Sequence, residues 1–587
     1  MLLQQQFQAL NISNPACSSV LKLLLCAICD RFSAELLKES QAIQTCFLCA
    51  ASYFCLHQFC PRARRSLDDE ASRFNSENIS YSEMETPHPP DGLCLEKIGN
   101  GAYITMVPHP DGSNRVFVSN QQGKIWLATV PDEDTKGILG IVESEPFLDL
   151  TDKVAFNTGL GLMGMAFHPH FMQNGRFFLS FNCDKMKQPG CMGRCLCNTD
   201  VDCDPSNLGY DNGIAPCQYH TIIAEYTVND TASKPSLSKS ANAAEVRRIL
   251  TMGLPNSRGH AGQILFGPAD GYLYLMISDG TERGDPYNFA QNKKSLLGKI
   301  LRVDIDHIPS AMEINELGLW GNYSIPKDNP YVDDKELEQE IWALGFHNPW
   351  RCSFDSQRPS YFICGDSGQD QYEEVDVITK GGNYGWRVYE GPLVFHPGKS
   401  PGGNTSATSI NPIFPVMGYY HSEIDTNVGS ASIVGGYFYR SMTDPCMYGR
   451  YLYMDLYAGA IWAGSENPEN SGNFTSTGIP FRCAHNSPIQ CTFRDRSPLP
   501  DLGFVFSFAE DNKKDVHILT STGVYRITRP SRCNFTCPEE KYANATLTQH
   551  SSTASSISKK LLSGFRSITI CSLLFPSFML LVLEISL

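Results

Sequence analysis

Short runs in which apolar and aromatic residues alternate with polar ones recur six times along the chain. The alternation predicts a β-strand, and an Asp, Ser or Asn beside a Gly predicts a turn into a second strand. Six hairpins spaced roughly 60 to 95 residues apart predict an all-β fold, a six-bladed β-propeller over residues 94–530. The hairpins are NRVFVSNQQGKIW (114–126), GRFFLSFN (175–182), GYLYLMISD (271–279), PSYFICGDSG (359–368), GRYLYMDLYAGAIW (449–462) and KKDVHILTSTGVYRI (513–527).

Composition and charge exclude other classes of protein. The 587 residues include 47 glycines and 36 prolines, which is too rich in turns for long helical arrays. The formal net charge is −15, and the basic run at Arg62, Arg64 and Arg65 is short. A nucleic-acid-binding protein needs a basic surface, so we predict no nucleic-acid partner.

The 22 cysteines indicate the cellular compartment. They cluster before residue 61 and between Cys183 and Cys217, which predicts disulfides formed in the secretory pathway. A zinc site at the CxxC pairs that begin at Cys26 and Cys46 is the alternative. Eight N-glycosylation sequons favour a secreted glycoprotein. They lie at Asn11, Asn78, Asn229, Asn322, Asn404, Asn473, Asn534 and Asn544.

The C-terminus predicts a lipid anchor. Residues 568–587 carry a single charge, at Glu584, and no basic residue follows them, as it would follow a stop-transfer helix. Small residues at 551–556 and a polar spacer precede this stretch, as in a signal for a glycosylphosphatidylinositol (GPI) anchor. We predict a Ser/Thr-rich stalk at 531–556, a removed GPI signal at 557–587 and a position on the extracellular face of the plasma membrane. A single-pass membrane tail is the alternative.

The N-terminus predicts a small separate module. Residues 1–65 are rich in cysteine, and residues 66–93, which are polar and contain Pro87, Pro89 and Pro90, are typical of a linker. The first residues lack the basic start and apolar run of a secretory signal. We therefore hypothesise that the start at Met1 is incomplete or altered.

Two short motifs are not supported by the residues around them. Gly159, Gly161 and Gly164 fit the pattern GxGxxG, but a strand and a turn follow where a dinucleotide site needs a helix. The run Asp200-Val-Asp202-Cys-Asp204 starts like an EF-hand loop, but Pro occupies the sixth position, which requires Gly. We interpret this run as part of a disulfide-bonded surface insertion.

Four residues could carry chemistry. His260 lies in a glycine-flanked loop before a strand, where its side chain could take a proton from an alcohol near neutral pH. Asn348 lies in another loop, and the pair Glu373 and Glu374 could hold a hard cation such as Ca²⁺. The alternatives are a turn hydrogen bond for His260 and solvated carboxylates for the glutamates.

These stretches resemble a known family. The segments RGHAGQILFGPADGYLYLMISDG (258–280), GFHNPWR (345–351) and GDSGQDQYEEVDVITKGGNYGW (365–386) closely resemble those of plant hedgehog-interacting-protein-like (HIP-like) proteins. More distantly, they resemble soluble quinoprotein glucose and aldose-sugar (sorbosone) dehydrogenases. The N-terminal part looks like a degraded folate-receptor-like module, which precedes the propeller in this family.

The resemblance implies a six-bladed propeller that binds pyrroloquinoline quinone (PQQ) over its axis through Ca²⁺ and oxidises a sugar or polyol. His260 falls on the catalytic base. Backbone carbonyls of Gly368 and Gln369 fall on the cofactor's Ca²⁺, and Asn348 falls on a cofactor contact. Glu374, beside Glu373, and Tyr384 fall on a structural Ca²⁺ site.

The chain departs from the quinoproteins at the residues that would hold the trianionic quinone. His347 replaces an expected Arg, Tyr457 replaces a Lys, and Gly159 replaces a Gln. Leu502 and Phe504 replace two arginines. The loss of these cations weakens the prediction of PQQ binding. A non-catalytic extracellular propeller that binds a glycan or protein ligand is therefore the alternative function.

Overall fold

The repeated hairpins form six separate sheets of four or five strands, each a blade of a β-propeller. The predicted all-β, six-bladed fold is confirmed. The predicted cysteine-rich module, all of the linker before residue 91 and the chain from residue 541 onward lie outside the described residues. The computed structural model describes residues 91–204, 217–229, 234–257, 260, 262–281, 283–424, 431–457, 461–491 and 502–540.

The first three blades follow one another along the chain, after a first strand that belongs to the last blade. That first strand is β1 (Leu93–Gly99). Blade one contains β2 (Thr105–Pro108), β3 (Arg115–Ser119), β4 (Lys124–Thr129) and β5 (Leu148–Asp149). Blade two contains β6 (Leu162–Phe167), β7 (Arg176–Asp184), β8 (Arg194–Cys195), β9 (Tyr219–Thr227) and β10 (Arg247–Gly253). Blade three contains β11 (Ile264–Phe266), β12 (Leu273–Ile277), β13 (Lys299–Val303) and β14 (Ile341–Leu344).

The remaining blades complete the ring. Blade four begins with β15 (Pro349–Phe354), β16 (Phe362–Asp366) and β17 (Tyr372–Val377), continues through a small hairpin of β18 (Tyr389–Glu390) and β19 (Leu393–Val394), and ends with β20 (Met417–Tyr420). Blade five contains β21 (Ile433–Phe438), β22 (Tyr451–Asp455), β23 (Ile461–Glu466) and β24 (Phe474–Ile479). Blade six contains β25 (Phe481–Cys483), β26 (Val505–Glu510), β27 (Val516–Thr520), β28 (Gly523–Thr528) and β1.

Helix is limited to short connections in the described part of the chain. A capping box between Ser310 and Glu313 starts the longer α-helix. None of the described helices has the length and apolar character needed to cross a membrane. The α-helices are α1 (Phe171–Asn174) and α2 (Ala311–Leu317), and 3₁₀ turns occur at Glu133–Thr135, Thr199–Val201, Pro235–Leu237, Ala407–Ser409, His421–Glu423 and Pro530–Cys533.

The first and last strands of the propeller close the ring in one blade. β1 pairs antiparallel with β28, where Leu95 lies opposite Ile527, and parallel with β25. A disulfide joins Cys94 to Cys533 across this closure. Because the two joined ends are 439 residues apart in sequence, the closure restricts the whole propeller.

The apolar core lies between neighbouring blades. In β16, Phe362 and Cys364 belong to a buried cluster with Met276 of blade three. Ile363 points the other way and belongs to a cluster with Ile433 of blade five. This alternation follows the period of two of a strand, and each buried Ile stabilises the fold by about 1.5–3 kcal/mol. Both faces of blade four are therefore buried, so a polar side chain on either face needs a partner.

Disulfides hold the described cysteines in pairs, which confirms the prediction of disulfide bonds. Three of the bonds lie in the insertion of blade two, where Cys183 and Cys217 mark its limits. The pairs are Cys94–Cys533, Cys183–Cys191, Cys195–Cys217, Cys197–Cys203, Cys352–Cys364, Cys446–Cys537 and Cys483–Cys491.

Candidate functional site

The innermost strands of the six blades are β2, β6, β11, β15, β21 and β26. The chain segments just before these strands meet the segments that follow the second strand of each blade. We call the ring that these segments form the mouth. At blades three and four, the N–H of Asp279 donates to the carbonyl oxygen of His347 at 2.9 Å. At blades four and five, the hydroxyls of Ser367 and Ser432 lie 2.9 Å apart. The mouth therefore brings together loops that are distant in sequence, as ligand sites on propellers require.

His260 lies in the mouth segment before β11 and is only 5% exposed. Its Nε2 lies 2.5 Å from the carbonyl oxygen of Asn256. Since a carbonyl can only accept, Nε2 carries a proton, and in the neutral ring Nδ1 is then the basic nitrogen. A Cβ on Gly262 would lie 2.9 Å from Cβ of Met163, so this segment packs against blade two.

Asn348 and His347 are held by one carboxylate. Asp366, at the end of β16, accepts the backbone N–H of His347 at 2.9 Å and that of Asn348 at 2.5 Å. The side-chain Oδ1 of Asn348 is buried and accepts no hydrogen bond from the described residues. A buried acceptor without a partner at the mouth suits a ligand that donates a hydrogen bond.

His347 is held in the mouth by a hydrogen bond and a ring contact. Its Nδ1 donates to the carbonyl of Ser367, and its ring packs edge-on against Trp386 with centroids 4.5 Å apart. Burial alone would lower the pKa of His347, but attraction to Asp279 and Asp366 outweighs burial and raises that pKa above its ordinary value. The two carboxylates therefore favour the charged form of the residue that replaces the expected Arg.

The loop after β16 wraps around one carboxylate oxygen. Glu390 is completely buried, and its Oε1 accepts the N–H groups of residues 369–372 at 2.9, 2.7, 2.7 and 3.3 Å. Gly368 begins the loop, where a Cβ would lie 1.8 Å from the carbonyl oxygen of Tyr372. The loop therefore depends on a glycine at its start and on Glu390 at its centre. Gln369, the other predicted carbonyl ligand, lies within it.

Glu373 and Glu374 point to opposite faces of β17, as neighbours on a strand do. Glu373 accepts the N–H of Ile433 in blade five at 2.7 Å and bonds Nε2 of His421 at 2.6 Å. Burial alone would lower the pKa of His421, but the hydrogen bond to Glu373 and its charge raise that pKa. Glu373 is therefore paired with His421, and the two glutamates do not act as one ligand pair.

Glu374 lies on the other face in a buried group of three carboxylates with Asp366 and Asp376. The register pairs Asp366 with Glu374, and Asp376 lies two residues further along the same face. Oxygen atoms of the three side chains all lie within 4.8 Å of one another. Glu374 accepts the N–H of Gly391 at 2.6 Å, whereas neither oxygen of Asp376 has a hydrogen-bond partner in the described structure.

This three-carboxylate cluster fits a hard cation. Burial, and then repulsion within the cluster, raise the pKa values of Glu374 and Asp376 well above their ordinary values. Burial also raises the pKa of Asp366, to about 7. Each carboxyl must therefore take a proton or share a cation. Ca²⁺ binds oxygen at about 2.3–2.6 Å, which suits oxygens separated by 4.8 Å or less.

Tyr384 lies close to this region, but its hydroxyl is already engaged. The hydroxyl donates to the carbonyl of Val377 at 2.8 Å and accepts the N–H of Thr379 at 2.7 Å. The ring stacks on Phe346 with centroids 4.7 Å apart. The phenol oxygen of Tyr384 therefore fixes the end of β17.

The mouth carries no charge at the positions where the resemblance places other cations. Tyr457 and Phe504 pack edge-on with ring centroids 5.8 Å apart. Leu502 is completely buried, and Gly159 has no side chain. Among the predicted contacts, His347 is therefore the one whose side chain can carry a positive charge toward a trianionic ligand.

Arg351 is a buried cation that the sequence did not reveal. Its guanidinium donates to the carbonyls of Met163 at 2.9 Å and Ile104 at 3.2 Å. These partners belong to blades two and one, so the side chain reaches across the central channel from blade four. Burial lowers the pKa of Arg351 to about 10. The contacts tie three blades together at the axis.

Sequence reasoning also missed Asp366, Asp376 and Glu390. The alternation Glu374-Val-Asp376 was a usable signal, because residues two apart on a strand share a face and an acidic pair on a buried face is unusual. Asp366 and Glu390 had no comparable signal. Their roles depend on strand register and on a loop conformation.

Comparison with known proteins gives the same assignment. Residues 103–415 match the family "Glucose / Sorbosone dehydrogenase". HIPL1 protein of Arabidopsis thaliana is 54% identical, over 96% of this chain and 88% of its own. Hedgehog-interacting protein of Mus musculus is 23% identical, over 80% of this chain and 58% of its own.

Quinoprotein glucose dehydrogenase B of Acinetobacter calcoaceticus is 29% identical, over 38% of this chain and 39% of its own. The match to the family covers more than half of the chain, and the plant relative aligns along nearly all of it. The chain therefore belongs to the glucose/sorbosone dehydrogenase family and, within it, to the hedgehog-interacting-protein-like proteins of plants.

Proposed function

We propose that the protein is a cell-surface oxidoreductase that acts on the CH–OH group of a sugar or polyol, with PQQ as cofactor and Ca²⁺ as its metal. The observation that carries this proposal is the mouth itself. There, buried His260, the loop after Gly368 and Asn348, whose Oδ1 has no hydrogen-bond partner among the described residues, belong to neighbouring blades. The family match and the quinoprotein relative support the same class of reaction.

Calcium fits two groups of oxygen atoms. The three-carboxylate cluster offers side-chain oxygens, and Asp376 has two buried oxygens without a hydrogen-bond partner in the described structure. The loop after β16 offers the backbone carbonyls of Gly368 and Gln369. Both are hard oxygen donors of the kind that Ca²⁺ prefers.

The residues present would hold the quinone mainly through Ca²⁺ and less through ion pairs with its carboxylates. Gly368 and Gln369 would hold it through Ca²⁺, Asn348 would bond it directly, and His347 would offset one negative charge. When bound, the quinone would accept the hydride equivalent released by the substrate. Because most of the usual cations are replaced, we expect an affinity that depends strongly on Ca²⁺.

His260 has the chemistry of a general base. With Nε2–H donating to Asn256, Nδ1 is the nitrogen that can take the proton of the substrate hydroxyl. Loss of that proton from the hydroxyl oxygen, and of a hydride from the carbon that bears the hydroxyl, converts the alcohol to a carbonyl, or an aldose to a lactone. The bond to Asn256 also fixes the ring, which favours a defined direction of attack on the hydroxyl.

The test is a titration of the full chain, made in an oxidising host, with PQQ in Ca²⁺ or in chelator. Quenching of tryptophan fluorescence reports binding, and dye reduction with a panel of aldoses and polyols reports turnover. We expect saturable binding that requires Ca²⁺. His260→Ala should lower turnover by about 10² to 10⁴-fold and change PQQ affinity less than about threefold.

His307→Ala is the matched control, because His307 is 84% exposed and lies in the connection after β13. It should leave both binding and turnover unchanged. Absence of saturable PQQ binding would refute the oxidoreductase proposal. Turnover that survives in His260→Ala would refute the role of His260 alone.

The second candidate is a non-catalytic propeller that binds an extracellular glycan or protein. The observation that favours it is the apolar packing of Leu502 and of the Tyr457–Phe504 pair where a quinone site needs cations. A distant relative is named for interaction with a protein, Hedgehog. Failure of PQQ to bind, together with Ca²⁺-dependent capture of one glycan on an array, would favour this function.

A further inference from the structure

Glu390 is a carboxylate near the mouth that accepts many hydrogen bonds, and none of the roles predicted above involves it. One oxygen accepts four consecutive backbone N–H groups, from residues 369–372, at 2.7 to 3.3 Å. The residue is completely buried, and its second oxygen has no hydrogen-bond partner in the described structure. Four donors on one carboxylate oxygen hold a loop more firmly than an ordinary turn does.

These hydrogen bonds determine where the loop's carbonyls point. In a trans peptide the N–H and the preceding carbonyl point in opposite directions. Because the N–H groups of residues 369–371 point to Glu390, the carbonyls of residues 368–370 point away from it. Within the part of the chain that the structure describes, no donor bonds these three carbonyls.

Other contacts hold the two ends of the loop in place. At the start, the N–H of Gly368 donates to Glu373 at 3.2 Å. At the end, the carbonyl of Gln371 accepts the N–H of His421 at 2.9 Å. The middle of the loop is held by Glu390, by the contact of the Gln369 side chain with the N–H of Gly284, and by an exposed ion pair between Asp370 and Arg283 at 2.8 Å.

We propose that Glu390 is the positioning residue of the cation site at the mouth, which aligns the carbonyls of residues 368–370 to bind Ca²⁺. Glu390 acts through the loop and does not itself contact the ion at these carbonyls. The proposal deepens the proposed function and rests on its Ca²⁺ site. It adds the carbonyl of Asp370 to the two predicted ligands, Gly368 and Gln369.

Two substitutions separate positioning from direct binding. Glu390→Gln keeps a carbonyl oxygen that can accept the same N–H groups, so the loop and the affinity for Ca²⁺ should be largely retained, within about threefold. Glu390→Ala removes the acceptor, and the affinity should fall by about 10 to 100-fold, as is usual when a residue that orients a metal ligand is lost.

The measurements are calorimetric titration with Ca²⁺ and luminescence of bound Tb³⁺, both on the full chain. Each variant is also made with Asp376→Asn, which removes the contribution of the three-carboxylate cluster. Hydrogen exchange of residues 369–372 reports the loop itself. These amides should exchange slowly in the wild type and in Glu390→Gln, and faster in Glu390→Ala.

Asp444→Ala is the matched control for the loss of a buried carboxylate. Asp444 is also completely buried and accepts the N–H groups of Cys446 and Met447, but it lies in the connection between β21 and β22. This variant should lose stability and keep its affinity for Ca²⁺. If it lost affinity equally, the effect of Glu390→Ala would be general destabilisation and the proposal would be wrong.

Other outcomes distinguish this proposal from the proposed function. Faster exchange in Glu390→Ala with unchanged Ca²⁺ affinity would refute the positioning role alone. An equal loss in Glu390→Gln and Glu390→Ala would make Glu390 a direct ligand, which also contradicts the proposal. If the wild type bound neither Ca²⁺ nor Tb³⁺, both this proposal and the proposed function would be overturned. If the Glu390 substitutions changed Ca²⁺ affinity as expected but PQQ did not bind, only the oxidoreductase proposal would be overturned.

Discussion

Within the three-carboxylate cluster, Asp376 has the fewest described hydrogen bonds to offset the burial of its carboxylate. It is buried, both of its oxygens lack a hydrogen-bond partner in the described structure, and burial together with Asp366 raises its pKa well above the ordinary value. Glu374 and Asp366, in contrast, each accept at least one backbone N–H. Asp376 therefore has the largest electrostatic cost in the absence of a cation and the largest gain when one binds.

The first prediction concerns Asp376→Asn. Without Ca²⁺, the variant should unfold at a higher temperature than the wild type, because a neutral amide replaces a buried carboxyl that must either repel its charged neighbours or take up a proton. With Ca²⁺, the order should reverse, because the wild type gains about 2.7 kcal/mol at one hundred times its dissociation constant and the variant gains much less. Calorimetric scans in chelator and in millimolar Ca²⁺ measure both differences.

Asp149→Asn is the control for this prediction. Asp149 is exposed, ends β5 and accepts hydrogen bonds from Thr151, so the substitution should not alter the response to Ca²⁺. An equal rise in melting temperature on addition of Ca²⁺ in the wild type and Asp376→Asn would count against a metal centre at the cluster.

At the scale of single residues, the sequence predicted which segments form the site better than it predicted which side chains contact one another. The loops that contain His260, Asn348 and Gly368 do belong to the mouth. The pairing of Glu373 with Glu374 did not follow from their adjacency, since neighbours on a strand face different blades. The partnership of Asp366 with Glu374 depends on register, which a single sequence leaves undetermined.

At the scale of elements, each of the six sequence hairpins falls in a different blade, where it includes the second strand. These strands were predictable because their alternation and turns are local. The position of β1 in the last blade was not predictable in the same way. Its partners, β25 and β28, lie about four hundred residues away, and no local pattern specifies such a pairing.

The second prediction concerns the closure. Replacing Cys94 and Cys533 by Ser should lower the free energy of unfolding by about 5 to 6 kcal/mol in the chain-entropy treatment, since the bond links residues 439 positions apart. The same change at Cys483 and Cys491, only 8 positions apart, should cost about 2 to 3 kcal/mol. Denaturant unfolding of both variants measures the difference.

An equal loss of stability in the two cysteine variants would show that strand pairing alone closes the ring. That pairing includes a buried ion pair, in which Nε of Arg526 donates to Glu96 at 2.8 Å. Nη1 of Arg532 lies 2.7 Å from the other oxygen of Glu96. The two arginines join β1 to the last strand and to the turn that follows it.

At the scale of the whole molecule, the described chain ends beside the closing blade. Cys537 is bonded to Cys446 of blade five, so the last described residues are fixed to the propeller. We propose that the Ser/Thr-rich segment and apolar tail beyond them carry the GPI signal. In that arrangement the lipid would attach the propeller to the outer leaflet through its C-terminal stalk.

The third prediction tests this attachment. Phosphatidylinositol-specific phospholipase C should release the native protein from intact plant cells into the medium and transfer it from the detergent phase to the aqueous phase. A protein with a single-pass tail in place of the signal is the control and should stay with the cells. Retention of the native protein after treatment would contradict the lipid anchor.

The closure by β1 also affects how the chain folds during synthesis. The strand is made first, but β25 begins at Phe481 and β28 ends at Thr528, so its partners follow about four hundred residues later. At about 5 to 20 residues per second, the ribosome needs roughly 20 to 80 s to supply them. Throughout that interval an apolar strand with two open edges has no native neighbour, so we expect nascent chains to depend on chaperones until synthesis of the last blade is complete.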